Sequence, residues 1–203
     1  MIKIVSVVKA GKMKDITDSD GNKFKLTDDI CYIYGVMPGK EYGEDEINEM
    51  RVKSDTDYGM NYAIDYMSKG IKTVKEVKDK LYLKKLLQAA TDNIINRLTE
   101  LDYLNDERYA VEYVNYYSGE KGSLRLRNEL KLKGVDRQFI DKALDKANDY
   151  EACLHTAEKF IKGKNIVLDR DKLVRHLLYR GFMYDTINEV IARLGGDYDI
   201  QDI

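Results

Sequence analysis

Residues 123–144 read SLRLRNELKLKGVDRQFIDKAL, and residues 170–191 read RDKLVRHLLYRGFMYDTINEVI. At a shift of 47 residues the two stretches keep their leucines, a cation followed by glycine, and the apolar residues beyond it. A match of this extent is typical of a tandem repeat. The matched residues are Leu126, Leu130, Lys133, Gly134, Val135, Ile140, Ala143 and Leu144 against Leu173, Leu177, Arg180, Gly181, Phe182, Ile187, Val190 and Ile191.

The repeated unit is predicted to contain three helices, because its apolar residues recur at helical spacing. Thr73 with Glu76 forms a capping box at the start of the second helix of the first unit, and Ser123 and Asp169 are the corresponding caps in the later units. Glycine after the second helix suits a left-handed helix end. The first unit has Lys85 at that position, so an irregular turn is expected there.

The fold class predicted is mainly α: a tandem, elongated and curved array of three three-helix repeats behind a small β-rich element. One unit of about 47 residues buries too little surface to be stable alone, and stacking supplies a continuous core. The expected divisions are a β-rich element at 1–55, repeats at 56–103, 104–150 and 151–195, and an acidic tail at 196–203.

The N-terminal element reads as strands. Apolar residues at 2–8 and the alternating residues 23–26 flank a turn at 18–22, which is better explained as a hairpin than as a calcium loop. The strand pattern continues through 30–34, and the acidic run 41–49 predicts a short helix or a linker. A domain boundary is expected at 53–57.

Composition excludes several functions. No apolar run approaches the about 20 residues of a membrane span, so a cytoplasmic protein without a membrane partner is expected. The net charge of -2 gives no general attraction to nucleic acid. Cys31, Cys153, His155 and His176 lack the spacing of metal ligands, and no catalytic constellation is visible. We therefore expect neither an enzyme nor a cofactor.

A basic cluster marks the second helix of the second repeat. Arg127 and Lys131 are one helical turn apart, opposite the apolar face, and other cations flank them. The ordinary interpretation of this cluster is a solvated face. Because only Glu120 and Glu129 are expected to neutralise it, the alternative is a positively charged patch that binds a partner. The residues predicted for this surface are Lys121, Arg125, Arg127, Lys131 and Lys133, extended by Arg175 and Arg180 of the third repeat.

The tyrosines number 16, and several keep i, i+4 spacing on the first helices of the repeats. Core packing is the ordinary interpretation of such a row. Tyr116 and Tyr117 extend past it beside Lys121, so one of them is a candidate to present its ring to a partner.

Three motifs of the repeats resemble the RecX family of RecA regulators. These are YLNDERYA at 103–110, RNELKLKGV at 127–135 and LLYRGF at 177–182. The resemblance covers roughly residues 58–195, and the β-rich leader is similar to the extra N-terminal part of some members. Asn105 and Tyr109 replace the more frequent Asp and Phe of the family. Asn105 suits a helix cap, and Tyr109 suits a core aromatic.

The resemblance implies a monomer that binds the RecA filament on single-stranded DNA along its helical groove. It implies modulation, most often inhibition, of the ATPase, strand-exchange and co-protease activities. The residues alone predict only a long helical binding surface. A second hypothesis is a direct DNA-binding module, in which the basic stripe contacts phosphates of single- or double-stranded DNA and tyrosines stack on bases.

Overall fold

The computed structural model describes residues 1–162 and 169–195. The elements are β1 (Ile2–Ala10), β2 (Met13–Asp18), β3 (Lys23–Thr27), α1 (Asp28–Ile33), β4 (Glu41–Tyr42), α2 (Glu44–Met67), α3 (Val74–Tyr82), α4 (Gln88–Glu100), α5 (Asp106–Tyr117), α6 (Ser123–Leu132), α7 (Arg137–Leu144), α8 (Asp149–Ile161), α9 (Arg170–Arg180) and α10 (Tyr184–Gly195). The prediction of a mainly helical protein with a small N-terminal β element is confirmed. The acidic tail expected at 196–203 lies outside the described residues.

The N-terminal strands form one antiparallel sheet in the order β3-β2-β1-β4. The turn between β2 and β3 is held by Asp18, whose carboxylate accepts hydrogen bonds from the amides of Asp20 at 2.9 Å and Asn22 at 2.8 Å. Burial disfavours the Asp18 charge, but its hydrogen bonds outweigh that cost and lower its pKa. The acidic residues of this turn therefore stabilise a hairpin, as the sequence predicts.

The strand predicted through 30–34 is wrong, because these residues belong mostly to α1. Thr27 caps this helix by accepting a hydrogen bond from the Ile30 amide at 3.4 Å, and two aspartates occupy the first turn. Ile30 and Cys31 are buried on one face of the helix. A five-residue apolar run fits a strand and a buried helical turn equally well, and here the Thr27 cap favours the helix.

Helix α2 is longer than the short helix or linker expected at 41–49, and it runs through the boundary expected at 53–57. Its first half packs Ile47 and Met50 into the core of the sheet. Ser54 accepts a hydrogen bond from the Thr27 amide at 2.7 Å. Further along, Gly59 lies so close to Ile94 that an added Cβ would be 2.6 Å from its Cδ1. One helix thus serves both the sheet and the first helical set.

The first compact unit, Met1–Leu104, also contains α3 and α4. The capping box of α3 is confirmed, since Thr73 Oγ1 accepts from the Glu76 amide at 3.1 Å and the Glu76 carboxylate accepts from the Thr73 amide at 3.0 Å. At the turn expected to be irregular, Lys85 takes the left-handed conformation that glycine takes in the later units, with a φ of 57°. Asp55 accepts a hydrogen bond from the Leu87 amide at 2.8 Å, where α4 begins.

The second compact unit, Asn105–Ile203, holds two helical sets, α5–α7 and α8–α10. Equivalent residues fill their two cores: Leu126, Leu130, Val135 and Ile140 in one, and Leu173, Leu177, Phe182 and Ile187 in the other. Gly134 and Gly181 both have left-handed φ, 81° and 87°. The repeat read from the sequence is therefore repeated in three dimensions.

The junction of these two sets differs from the sequence-based expectation. Ser123 is not the cap of α6; its amide and hydroxyl donate to the Asp149 carboxylate at 3.0 and 2.7 Å. The cap position belongs to Gly122, whose amide donates to the Arg180 carbonyl at 3.0 Å. A Cβ on Gly122 would be 2.2 Å from the Gly181 carbonyl oxygen. Asp169 does occupy the cap position of α9, but its carboxylate accepts from Lys172 Nζ at 2.7 Å rather than from a helix amide.

Candidate protein-binding surface

Glu129 is at the centre of the basic cluster of α6. Its carboxylate accepts hydrogen bonds from Lys121 Nζ at 2.7 Å and from Arg125 Nε at 2.9 Å. The Tyr113 hydroxyl donates a third at 2.8 Å. Lys121 and Arg125 are therefore held by one partly buried carboxylate, and they form part of the internal structure of the repeat rather than an unneutralised patch.

The pKa values follow from this arrangement. Burial disfavours the Glu129 charge, but the three hydrogen bonds it accepts outweigh burial and lower its pKa to about 2. Burial, reinforced by the hydrogen bond to Glu129, raises the pKa of Tyr113 above its ordinary value. The tyrosine therefore stays protonated and donates, while the carboxylate stays charged throughout the physiological pH range.

The expectation that only Glu120 and Glu129 neutralise the cluster is wrong. Arg127 forms an ion pair with Asp141 of α7, which also lies 3.4 Å from Arg137 Nε. The pairing lowers the pKa of Asp141. Packing of α6 against α7 brings Asp141 within reach of Arg127, and spacing along a single helix could not reveal that contact.

Lys131 and Lys133, at the end of α6, are in different surroundings. Lys131 is exposed, and none of the acidic residues in the described ranges forms an ion pair with it. Lys133 is half-buried, with its Nζ 5.5 Å from the centre of the Tyr109 ring. Only Lys131 of this pair is thus fully presented to solvent.

The stripe expected to run into the third repeat is interrupted. Arg175 is exposed on α9, and its Nε donates to the Asp171 carbonyl at 3.2 Å. Arg180 is 3.9 Å from a Glu120 oxygen, beside a shallow cavity of about 320 Å³. Arg125 reaches across the junction and donates to the Tyr179 carbonyl at 3.1 Å. Arg125 and Arg180 therefore join the two helical sets.

The sequence left open whether Tyr116 or Tyr117 presents its ring to a partner, and the two differ in the structure. Tyr117 is half-buried, and Lys121 Nζ lies 3.8 Å from the centre of its ring. It continues a row of rings formed with Tyr109 and Tyr113. Tyr116 is exposed, and its ring makes an edge-to-face contact with Tyr117 at 4.7 Å between centroids. Of the two, Tyr116 has the ring available to a partner.

Sequence reasoning missed a set of exposed apolar residues at the ends of the middle helices. Tyr82 and Leu83 follow this pattern at the end of α3, Leu132 at the end of α6, and Tyr179 at the end of α9. Apolar residues at the ends of basic helices look like core residues in a sequence. The comparison that could have revealed them is between repeats, since Leu83, Leu132 and Tyr179 all stand two residues before the left-handed position.

Both cysteine thiols are buried in the described structure. Burial raises the pKa of the Cys31 thiol, and it raises that of Cys153 to about 11. His176 stacks on Phe160 with ring centroids 4.8 Å apart. Residues 1–162 and 169–195 contain no group of three or more His, Cys, Asp or Glu placed to hold a metal ion. In the same ranges, no helix is both long and apolar enough to cross a bilayer.

Comparison with known proteins identifies the relatives of this chain. Residues 105–144 match the family model described as "RecX, second three-helix domain". A regulatory protein RecX of Bacillus licheniformis is 30% identical over 187 residues, which are 88% of this chain and 70% of the relative. That of Streptococcus mutans is 29% identical and covers 90% of this chain and 73% of its own length.

Solved structures agree with these relatives. The crystal structure of RecX from Lactobacillus salivarius is 32% identical with a TM-score of 0.62, and the match covers 70% of this chain and 97% of that one. Another crystal structure, of a regulatory protein RecX, has a TM-score of 0.63 over 94% of this chain and 98% of that one; at 21% identity it supports the fold alone. The chain belongs to the RecX family of regulatory proteins.

Proposed function

We propose that this protein is a non-enzymatic regulator that binds the RecA filament on single-stranded DNA along its helical groove. In this proposal it works as a cytoplasmic monomer and inhibits the ATPase, strand-exchange and co-protease activities of the filament. The observation that carries the proposal is family membership, because 88% of the chain aligns with a regulatory protein RecX.

The repeated helical sets support this proposal. A filament has the same surface on every protomer. This chain can offer similar surfaces to successive protomers through its three similar units, at 56–103, 104–150 and 151–195. Each contact can be weak, because joining contacts in one chain raises the effective concentration of the remaining ones. A bound array would then restrain the filament by occupancy, by opposing subunit rearrangement and obstructing the entry of duplex DNA.

The partner-binding residues proposed from the sequence divide into two groups in this picture. Lys131, Arg175 and Tyr116 are exposed and would contact the filament directly. The second group would hold the surface in place through its internal contacts; it comprises Lys121, Arg125, Arg127, Lys133, Arg180 and Tyr117. Direct DNA binding by the stripe gains no support from this division, because paired cations release fewer counterions from phosphates.

The DNA-dependent ATPase rate of RecA tests the proposal. The protein should lower that rate when added well below the concentration of RecA, because one bound molecule spans several protomers. It should hydrolyse no ATP by itself. An unchanged rate at equal concentrations of the two proteins would refute the proposal.

A further inference from the structure

Of the three described middle helices, α6 alone has glycine at its cap position. Thr73 caps α3 with its own side chain, and Asp169 occupies the cap position of α9. Gly122 has no side chain to offer the first amides of α6. Glycine is needed there, because a Cβ on Gly122 would be 2.2 Å from the Gly181 carbonyl oxygen in the turn after α9. The packing of the third repeat on α6 therefore excludes a side chain at the cap position of this helix.

Asp149, at the start of α8, supplies the acceptor from the next repeat. Its Oδ1 accepts from the Ser123 amide at 3.0 Å and from the Ser123 hydroxyl at 2.7 Å. Ser123 is the first residue of α6, followed by Leu124 and Arg125 in a first turn of neutral and cationic side chains. A carboxylate at a helix N-terminus accepts from amides that have no partner within the helix, and it faces the positive end of the helix dipole. Asp149 therefore caps α6 from outside that helix.

A second contact ties the same end of α6 to another helix of the third repeat. The Gly122 amide donates to the carbonyl of Arg180, the last residue of α9, at 3.0 Å. Helix α6 is thus held at its start by the beginning of α8 and by the end of α9. The two repeats belong to one compact unit but have separate clusters of buried apolar side chains. Polar contacts at this junction therefore bear directly on the angle between the two repeats.

We infer that Asp149 is a positioning residue: by capping α6 from α8, it sets the placement of Lys131 relative to Arg175. Lys131 is near the end of α6, Arg175 is on α9 of the next repeat, and both are exposed. A partner with two matching sites binds best to cations whose spacing is fixed before binding, because less freedom is then lost in the complex. This inference rests on the proposed function, in which these two side chains contact the filament directly.

The isolated protein tests the positioning role without RecA. Spin labels introduced through Lys131→Cys and Arg175→Cys report the distance between the two repeats, since the native cysteines are buried. We expect a narrow distance distribution in the labelled parent and a clearly broader one with Asp149→Ala. Asp149→Asn should restore the narrow distribution, because its side-chain oxygen can still accept from the Ser123 amide and hydroxyl. An equally narrow distribution with Asp149→Ala would overturn the inference.

Affinity for RecA preassembled on single-stranded DNA tests whether this positioning matters for binding. Asp149→Ala should bind about five-fold more weakly, the effect of losing one helix cap. The matched control is Asp136→Ala, which removes a cap within the second repeat, where the Asp136 carboxylate accepts from the Gln138 amide at 2.9 Å. The control should stay within about two-fold of the parent, since the junction keeps its contacts. Equal weakening by both variants would show a general loss of stability and overturn the inference.

The effect of Lys131→Glu in two backgrounds separates positioning from other effects on binding. This change should weaken filament binding by a larger factor in the parent than in Asp149→Ala, where Lys131 no longer meets its site in a fixed position. Equal factors in the two backgrounds would contradict the inference while the proposed function stands. If the parent does not bind the filament, the proposed function is wrong, and the label distances alone decide whether Asp149 positions the two repeats.

Discussion

The turn after α9 (178–182) and the turn after α3 (82–86) both contain a left-handed residue whose amide donates to the carbonyl three residues back, but their surroundings are opposite. Gly181 needs glycine twice, for its φ of 87° and because an added Cβ would be 2.3 Å from the Arg125 Cβ. Lys85 has a similar φ of 57° on a surface that leaves its side chain exposed. Glycine is therefore required at 181 by the close contact with α6. The left-handed turn itself forms at the end of the helix with or without glycine.

The largest effect is expected from Gly181→Ala compared with Lys85→Ala. An alanine at 181 combines left-handed strain with a clash against the backbone of Arg125, so it should lower the free energy of unfolding by about 3 kcal/mol. Lys85→Ala should change it by less than about 0.5 kcal/mol. Urea unfolding measures both variants. Similar losses at the two positions would mean that Gly181 and Arg125 are not as close as the structure places them.

Glu129→Gln should cost about 2 kcal/mol at neutral pH, because it weakens charge-assisted hydrogen bonds to Lys121 and Arg125 in a partly buried site. The control is Glu49→Gln, which weakens a comparable pair with Lys53 that is exposed to solvent. That variant should lose less than about 1 kcal/mol. Equal losses in thermal unfolding would contradict the central role given to Glu129.

The pH dependence of stability should differ between the parent and Glu129→Gln. The folded-state pKa of Glu129 is about 2, lowered from an ordinary value of 4.5. The resulting stabilisation is complete above the ordinary value and is lost as the pH falls from there through about 2. The parent should therefore lose more stability than the variant over this range. Parallel curves would show that Glu129 titrates normally.

Lys85→Gly should stabilise the first unit by roughly 0.5–1 kcal/mol, because glycine removes the strain of a left-handed lysine. The reverse change in the second unit, Gly134→Lys, should destabilise by a similar amount. Chemical denaturation with a probe in each unit distinguishes the two. A loss of stability in Lys85→Gly would show that the lysine makes a contact worth more than its strain.

Arg127→Glu with Lys131→Glu should lower the free energy of unfolding by no more than about 1 kcal/mol, because Lys131 is exposed and the Arg127–Asp141 ion pair is partly exposed to solvent. Filament binding should still weaken by about ten-fold, because the proposed Lys131 contact becomes repulsive and the Arg127–Asp141 ion pair that holds the surface is lost. The matched control is Lys23→Glu with Lys25→Glu on β3, where Lys25 likewise pairs with an aspartate. Equal binding by both variants would leave the basic face as a solvated surface.

Local features of the fold could be predicted from the sequence, because their causes lie within a few residues. The Thr73 capping box and the left-handed glycines are of this kind. The α1 helix was missed because a short apolar run carries no clear period. The role of Asp149 was missed because its partner, Ser123, is 26 residues away.

The candidate surface was predictable in composition but not in pairing. The sequence identified the cations of α6, yet it could not place Asp141 of the next helix against Arg127. Nor could it separate exposed Tyr116 from half-buried Tyr117. Such distinctions depend on how neighbouring helices pack. The exposed apolar residues of the turns became visible only when burial was compared between repeats.

The most direct test of the proposed function is capture of the protein on immobilised single-stranded DNA, with and without preassembled RecA. The account predicts retention on the RecA-coated DNA and almost none on bare DNA. Retention on the coated DNA should also persist as salt rises, since apolar contacts contribute to it. Equal retention on bare DNA, falling steeply with salt, would contradict the account and indicate a DNA-binding module.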